Sequence, residues 1–117
     1  LWEKPLLYLE NSPLFHLKNV NTPVLILHND EDGAVPWYQG IELFMGLRRL
    51  DKPAWLLNYN GQPHWPITYP NRRDYAIRMQ QFFDHYLMDG PLPQWMAEGV
   101  PAVDKGRDFG LEPVSDR

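Results

Sequence analysis

Pro23-Val24-Leu25-Ile26-Leu27-His28-Asn29-Asp30-Glu31-Asp32-Gly33-Ala34-Val35-Pro36 is the stretch that decides the fold. Its first six residues form a continuous apolar run closed by a histidine, with no alternation of apolar and polar positions. Unbroken apolarity suits a strand covered on both faces, as in a parallel sheet, so residues 23–28 are predicted to be a central strand. The polar residues 29–36 then form the loop at its carboxyl end. That is the edge where open α/β sheets collect ligand-binding and catalytic groups.

Working outward, residues 37–50 carry a helical stripe of Ile41, Phe44 and Leu47, widened by Leu43 and Leu50, with Pro36 suited to the first turn. Gly40 and Gly46 each weaken this helix by about 1 kcal/mol against alanine, so close packing on a sheet is expected to offset them. Residues 54–59, Ala54-Trp55-Leu56-Leu57-Asn58-Tyr59, read as the next strand. The loop 60–70 contains His64 and the breakers Gly61, Pro63, Pro66 and Pro70. Asn71 is a good N-cap for a last helix over 72–88, with Tyr75, Met79, Phe82, Phe83, Tyr86 and Leu87 on its apolar face. Arg73, Arg78, Gln81 and Asp84 are predicted on its wet side.

Strand, helix, strand, helix with short connections implies parallel pairing through a right-handed crossover. Two parallel strands are too few for a stable sheet alone. The expected architecture is therefore the C-terminal βαβα portion of a larger α/β fold with an incomplete sheet. Residues 1–22 read as a connector that begins with the end of an earlier helix, broken at Asn11-Ser12-Pro13, 23–89 as the βαβα unit, and 90–117 as an extended tail packing through Trp95 and Met96. No internal repeat or low-complexity run is present.

The 117 residues are 44% hydrophobic and 14% aromatic, with five tryptophans, which supplies a packed core and argues against disorder. A formal charge of −4 leaves no basic stripe for a phosphate backbone, so no nucleic-acid partner is expected. Arg48-Arg49 and Arg72-Arg73 read as solvated helix positions. The absence of cysteine excludes disulfides, thiolate metal sites and thiol catalysis. No run approaches the roughly 20 apolar residues of a membrane span. The opening Leu1-Trp2-Glu3-Lys4-Pro5 has neither an initiator Met nor a signal-peptide pattern, which fits a chain cut from something longer and leaves the compartment unmarked.

Asp32 and His64 carry the chemistry. Each lies in the loop after a predicted strand, and Asp before His is the order in which α/β-hydrolase chains present acid and base after a nucleophile. The parallel pairing brings both loops to one sheet edge, where strands that are neighbours can bring the two side chains within hydrogen-bonding reach. Histidine exchanges protons near neutrality, and a carboxylate fixes its tautomer and stabilises the imidazolium. Taken singly, Asp32 reads first as a turn residue before Gly33 and His64 as a loop residue after Asn60-Gly61; taken as a pair in corresponding loops, they favour catalysis. The only serines, Ser12 and Ser115, lack the glycines of a Gly-x-Ser-x-Gly elbow. A nucleophilic serine is therefore expected upstream, on residues not in this chain.

The run Leu25-Ile26-Leu27-His28-x-x-x-Asp32-x-x-Val35-Pro36 resembles the acid loop of the prolyl oligopeptidase family of serine peptidases, and His64 matches the family's catalytic histidine in position. The tail Pro93-Gln94-Trp95-Met96-Ala97-Glu98-Gly99-Val100-Pro101 is similar to the ends of bacterial members. The resemblance implies an α/β-hydrolase fold preceded by a β-propeller, a peptide substrate, Asp32 as triad acid and His64 as base. Asn29 and Trp65 depart from it, since glycine is common after both histidines. Trp65 is read either as lining the substrate site or as packing.

Rival readings use the same residues. His28, Asp30 and Asp32 alternate and so invite a metal, although an EF-hand fails with His28 at position one and Gln39 at position twelve. His28 is expected to be a buried strand-end residue that orders the acid loop, His16 and His85 to be surface or packing residues, and Asp30 and Glu31 to be solvated. No phosphate-cradling glycine loop is present, and no cofactor is called for. An esterase or other α/β-hydrolase would use the same triad. A non-catalytic module binding a partner, or a second copy as a homo-oligomer, through an exposed sheet edge is the third reading.

Overall fold

In a computed structural model that describes residues 1–114, the apolar runs form two short strands, β1 over Val24–Leu27 and β2 over Ala54–Leu57. Ser115 lies outside the described residues. The strands pair in parallel, Val24 with Ala54 through to Leu27 with Leu57. Backbone hydrogen bonds extend the ladder at both ends, from Val24 N to Pro53 O and from His28 N to Leu57 O. Among the described residues the sheet has these two strands alone. The fold class is α/β.

The chain divides into two compact units, the first over Leu1–Pro66. Here helix α1 (Pro5–Glu10) and a 3-10 helix (Pro13–Asn19) occupy the segment read as a connector, and helix α2 (Trp37–Arg49) links the strands. Leu17, Leu47 and Ala54 are the buried centre of this unit, surrounded by Leu14, Val20, Val24, Ile26, Leu43 and Phe44. The stripe of α2 therefore meets the sheet, as its periodicity requires. β1 departs from expectation: all four of its residues are half-buried, because among the described residues it has one neighbouring strand, on one edge alone. Past the end of α2, Asp51 adopts the left-handed conformation (φ 53°). Asp51 N then bonds Arg48 O and Lys52 N bonds Leu47 O, which satisfies carbonyls the helix end would leave unpaired.

The second unit begins at Ile67. Its helix α3 runs Tyr69–Leu87 and starts earlier than Asn71 suggested, with Thr68 at the N-cap. Pro70 explains the shift: its fixed φ and missing N–H suit a first helical turn, so it begins the helix instead of breaking it. Residues beyond α3 fold back as a short helix α4 (Gln94–Ala97) and a 3-10 turn (Ala102–Asp104), so this segment is not simply extended. Trp95 and Met96 are buried.

The wet side predicted for α3 is corrected at two positions. Arg78 is buried, bonded to Asp74 at 2.8 Å and to the Phe109 carbonyl at 2.8 Å, with its guanidinium 5.3 Å from the Trp95 ring centre. Gln81 accepts from Trp95 Nε1 and donates to Leu111 O, both at 2.8 Å. No helix among the described residues is long and apolar enough to cross a membrane.

Candidate active site

Because Leu27 and Leu57 are partners, the loops that follow them leave the sheet side by side. Asp32 comes from one loop and His64 from the other. Asp32 Oδ1 accepts the backbone N–H of Ala34 at 2.8 Å and of Val35 at 2.9 Å, closing a turn. Its Oδ2 accepts from His64 Nδ1 at 2.7 Å and lies 3.3 Å from His28 Nε2. One oxygen serves the turn and the other serves the histidines, so the turn reading and the paired reading of Asp32 both describe it. The Asp32 side chain is 2% exposed and that of His64 is 63% exposed.

The acceptors decide the proton positions. A carboxylate oxygen only accepts, so His64 Nδ1 carries the hydrogen and the neutral ring keeps its lone pair on Nε2. His28 Nε2 faces two acceptors, the Val35 carbonyl at 3.2 Å and Asp32 Oδ2, and so carries a hydrogen that it shares between them. Burial works to raise the Asp32 pKa. The Val35 N–H, the His64 ring and the Ala34 N–H outweigh it and bring the carboxyl down to about 2. Asp32 is therefore a fixed anion at neutral pH.

His28 is seated from two sides. It is 8% exposed, and Trp37 meets its ring edge-on at 5.7 Å. Gly40 lies against it so closely that a Cβ there would overlap His28 Nδ1. The glycine read as a weak point of α2 is where the helix admits the imidazole.

Two residues that sequence reasoning undervalued join the loops. Asn29, fully buried, donates from Nδ2 to Pro63 O at 2.8 Å and accepts the Tyr59 N–H at 3.0 Å. Asp30 accepts the Gly61 N–H at 2.8 Å and Asn60 Nδ2 at 3.0 Å, while its own N–H donates to Asn58 Oδ1 at 3.2 Å. Asp30 is thus engaged with the second loop, not simply solvated. Gly61 presents its N–H from a left-handed conformation (φ 71°), where a side chain would be strained. No group of three or more His, Cys, Asp or Glu among the described residues is arranged to hold a metal ion.

Trp65, next to His64, is 55% exposed, and Pro66 is buried. His16 is exposed, and His85 Nδ1 bonds the Gly90 carbonyl at 3.0 Å in the second unit. A buried anion bonded to a solvent-open imidazole whose far nitrogen has no hydrogen-bond partner among the described residues is an arrangement suited to taking a proton and returning it.

The sequence profile of the prolyl oligopeptidase family matches residues 1–90. The chain belongs to that family. Similar proteins include the acylamino-acid-releasing enzyme of Rattus norvegicus, 36% identical over 64 residues, or 55% of this chain and 8% of that protein. The uncharacterized peptidase YuxL of Bacillus subtilis is 36% identical over 55 residues, 47% of this chain and 8% of that protein. The probable dipeptidyl-peptidase 5 of Aspergillus clavatus is 32% identical over 56 residues, 48% of this chain and again 8% of that protein. The stretch shared with each of these relatives is thus a small part of the relative's length. Asn29, expected to alter the turn after His28, instead spans the two loops with its amide.

Proposed function

We propose that Asp32 and His64 are the acid and base of a serine-type peptidase triad whose nucleophilic serine and oxyanion-binding amides lie outside these 117 residues. The observation that carries this reading is the 2.7 Å hydrogen bond from His64 Nδ1 to the buried Asp32 carboxylate. It forms at the carboxyl edge of a parallel sheet, where α/β enzymes place such groups. Membership of the prolyl oligopeptidase family and the peptidase names of two of the similar proteins support a peptide as substrate.

The roles follow from the proton positions. His64 Nε2 takes the hydrogen of the serine hydroxyl as its oxygen attacks the peptide carbonyl carbon. The imidazolium so formed is stabilised by the Asp32 anion, then passes that proton to the leaving amine nitrogen as the C–N bond breaks. Water repeats the cycle on the acyl-enzyme and frees the acid product. Asp32 keeps its charge throughout, as its low pKa requires. Trp65, half-open beside the base, is the candidate substrate contact.

Assay of the chain by itself and of the intact protein separates the parts of this reading. The 117 residues alone are expected to leave an aminoacyl reporter at the rate of a buffer blank, and the intact protein to hydrolyse it. Turnover by the isolated chain that disappears in His64→Ala would refute the external nucleophile. Turnover of ester reporters without any peptide turnover would replace the peptidase by an esterase.

A further inference from the structure

We infer that Asn29, helped by Asp30, is a positioning residue for His64: it locks the peptide plane from which the imidazole departs. The inference rests on the triad reading above. Asn29 Nδ2 grips the carbonyl of Pro63, and that carbonyl belongs to the peptide bond that leads into His64. Since the six atoms of a peptide unit are coplanar, holding the Pro63 oxygen restrains the plane that ends at the Cα of His64. The other end of the amide takes the Tyr59 N–H, so one side chain ties the start of the second loop and the residue before the base to the acid loop. The polarity of both contacts assigns the amide: a carbonyl only accepts and a backbone N–H only donates, so Nδ2 and Oδ1 have one possible orientation.

Asp30 adds an outer fastening. Its carboxylate holds the Gly61 N–H and Asn60 Nδ2, and its N–H holds Asn58 Oδ1. Five hydrogen bonds therefore join the residues immediately after β1 to the loop that carries His64. Asp32, three positions beyond Asn29, is oriented separately by its own turn. An imidazole that is 63% exposed has little packing of its own to hold it, so its alignment falls to its bond with Asp32 and to the loop beneath it. Asn29 is fully buried and both ends of its amide are engaged.

The test uses the intact protein and two readouts. One is the downfield Nδ1–H proton resonance of His64, assigned by its loss in Asp32→Asn; the other is kcat and KM on an aminoacyl peptide reporter. Asn29→Ala is expected to broaden or remove the resonance and to lower kcat by about ten- to a hundredfold, the range of a small misalignment, with KM little changed. Asp30→Ala, at an exposed position, is expected to act in the same direction and carries the test if Asn29→Ala fails to fold. Wild-type resonance and wild-type kcat in a folded variant would overturn the clasp. Loss of the resonance, with full activity retained in His64→Ala, would support the clasp and refute the triad reading on which its catalytic meaning depends.

Discussion

The Asp32 carboxylate is contacted by two backbone N–H groups and two imidazoles while 2% exposed. Its pKa falls from 3.8 to about 2, so the folded protein holds this proton less tightly than the unfolded chain does. The resulting stabilisation is present above the unfolded value and is lost as pH falls through the folded one. Denaturant titrations between about pH 5 and pH 2 are expected to show wild type losing stability more steeply than Asp32→Asn; parallel curves would contradict the assignment. A second test concerns Gly40. Alanine there gains about 1 kcal/mol of helix propensity, but overlap with a seated ring costs about 1–3 kcal/mol. The clash wins because the Cβ would also stand 2.8 Å from His28 Cβ and Cγ, which cannot swing away as a flexible side-chain tip can. Gly40→Ala is expected to melt at lower temperature than wild type, and an unchanged melt would refute the close seat. The Asp32–His64 contact is legible from sequence because both residues follow apolar runs in equivalent loops. The parts played by Asn29 and Asp30 are not, because their partners are set by pairing between loops, which leaves no mark in one sequence; at Gly40 a glycine inside a helix announces close packing but not its partner, His28.

At the scale of elements, β1 and β2 are readable from continuous apolar runs and α2 and α3 from helical periodicity, with errors at the ends where local chemistry decides. Pro70 started α3 early, and the strands stop before the polar residues that build the loops. The face of α3 was harder. Helical spacing assigns Arg78 and Gln81 to water, whereas both meet carbonyls of the returning segment, at Phe109 and Leu111. Backbone carbonyls carry no sequence signature, so a charged residue that caps them looks solvated. Arg78→Met keeps most of the stem but removes the bonds to Asp74 and Phe109. Losing hydrogen bonds to a charged group, with Phe109 O left unpaired, is expected to cost about 2–3 kcal/mol. Denaturant unfolding measures it, and a change below about 0.5 kcal/mol, typical of a surface substitution, would show that the guanidinium is not structural.

For the molecule as a whole, two paired strands offer a narrow foundation. They nevertheless bring two loops to one edge, and those loops carry a buried anion, an open imidazole and the bonds between them. The fold class is legible because the apolar runs are continuous, and the loop clasp is not because it depends on how the strands register. The central claim is that Asp32 and His64 act as one proton-handling unit, and activity of the intact protein tests it most directly. The measurement is kcat/KM on a peptide reporter for wild type, His64→Ala, Asp32→Asn and the double variant. Each single change is expected to lower kcat/KM by on the order of 10⁴, with the double variant little worse than either, because the two residues fail together. Single variants within about tenfold of wild type, or a double variant whose loss is the product of two independent losses, would contradict it.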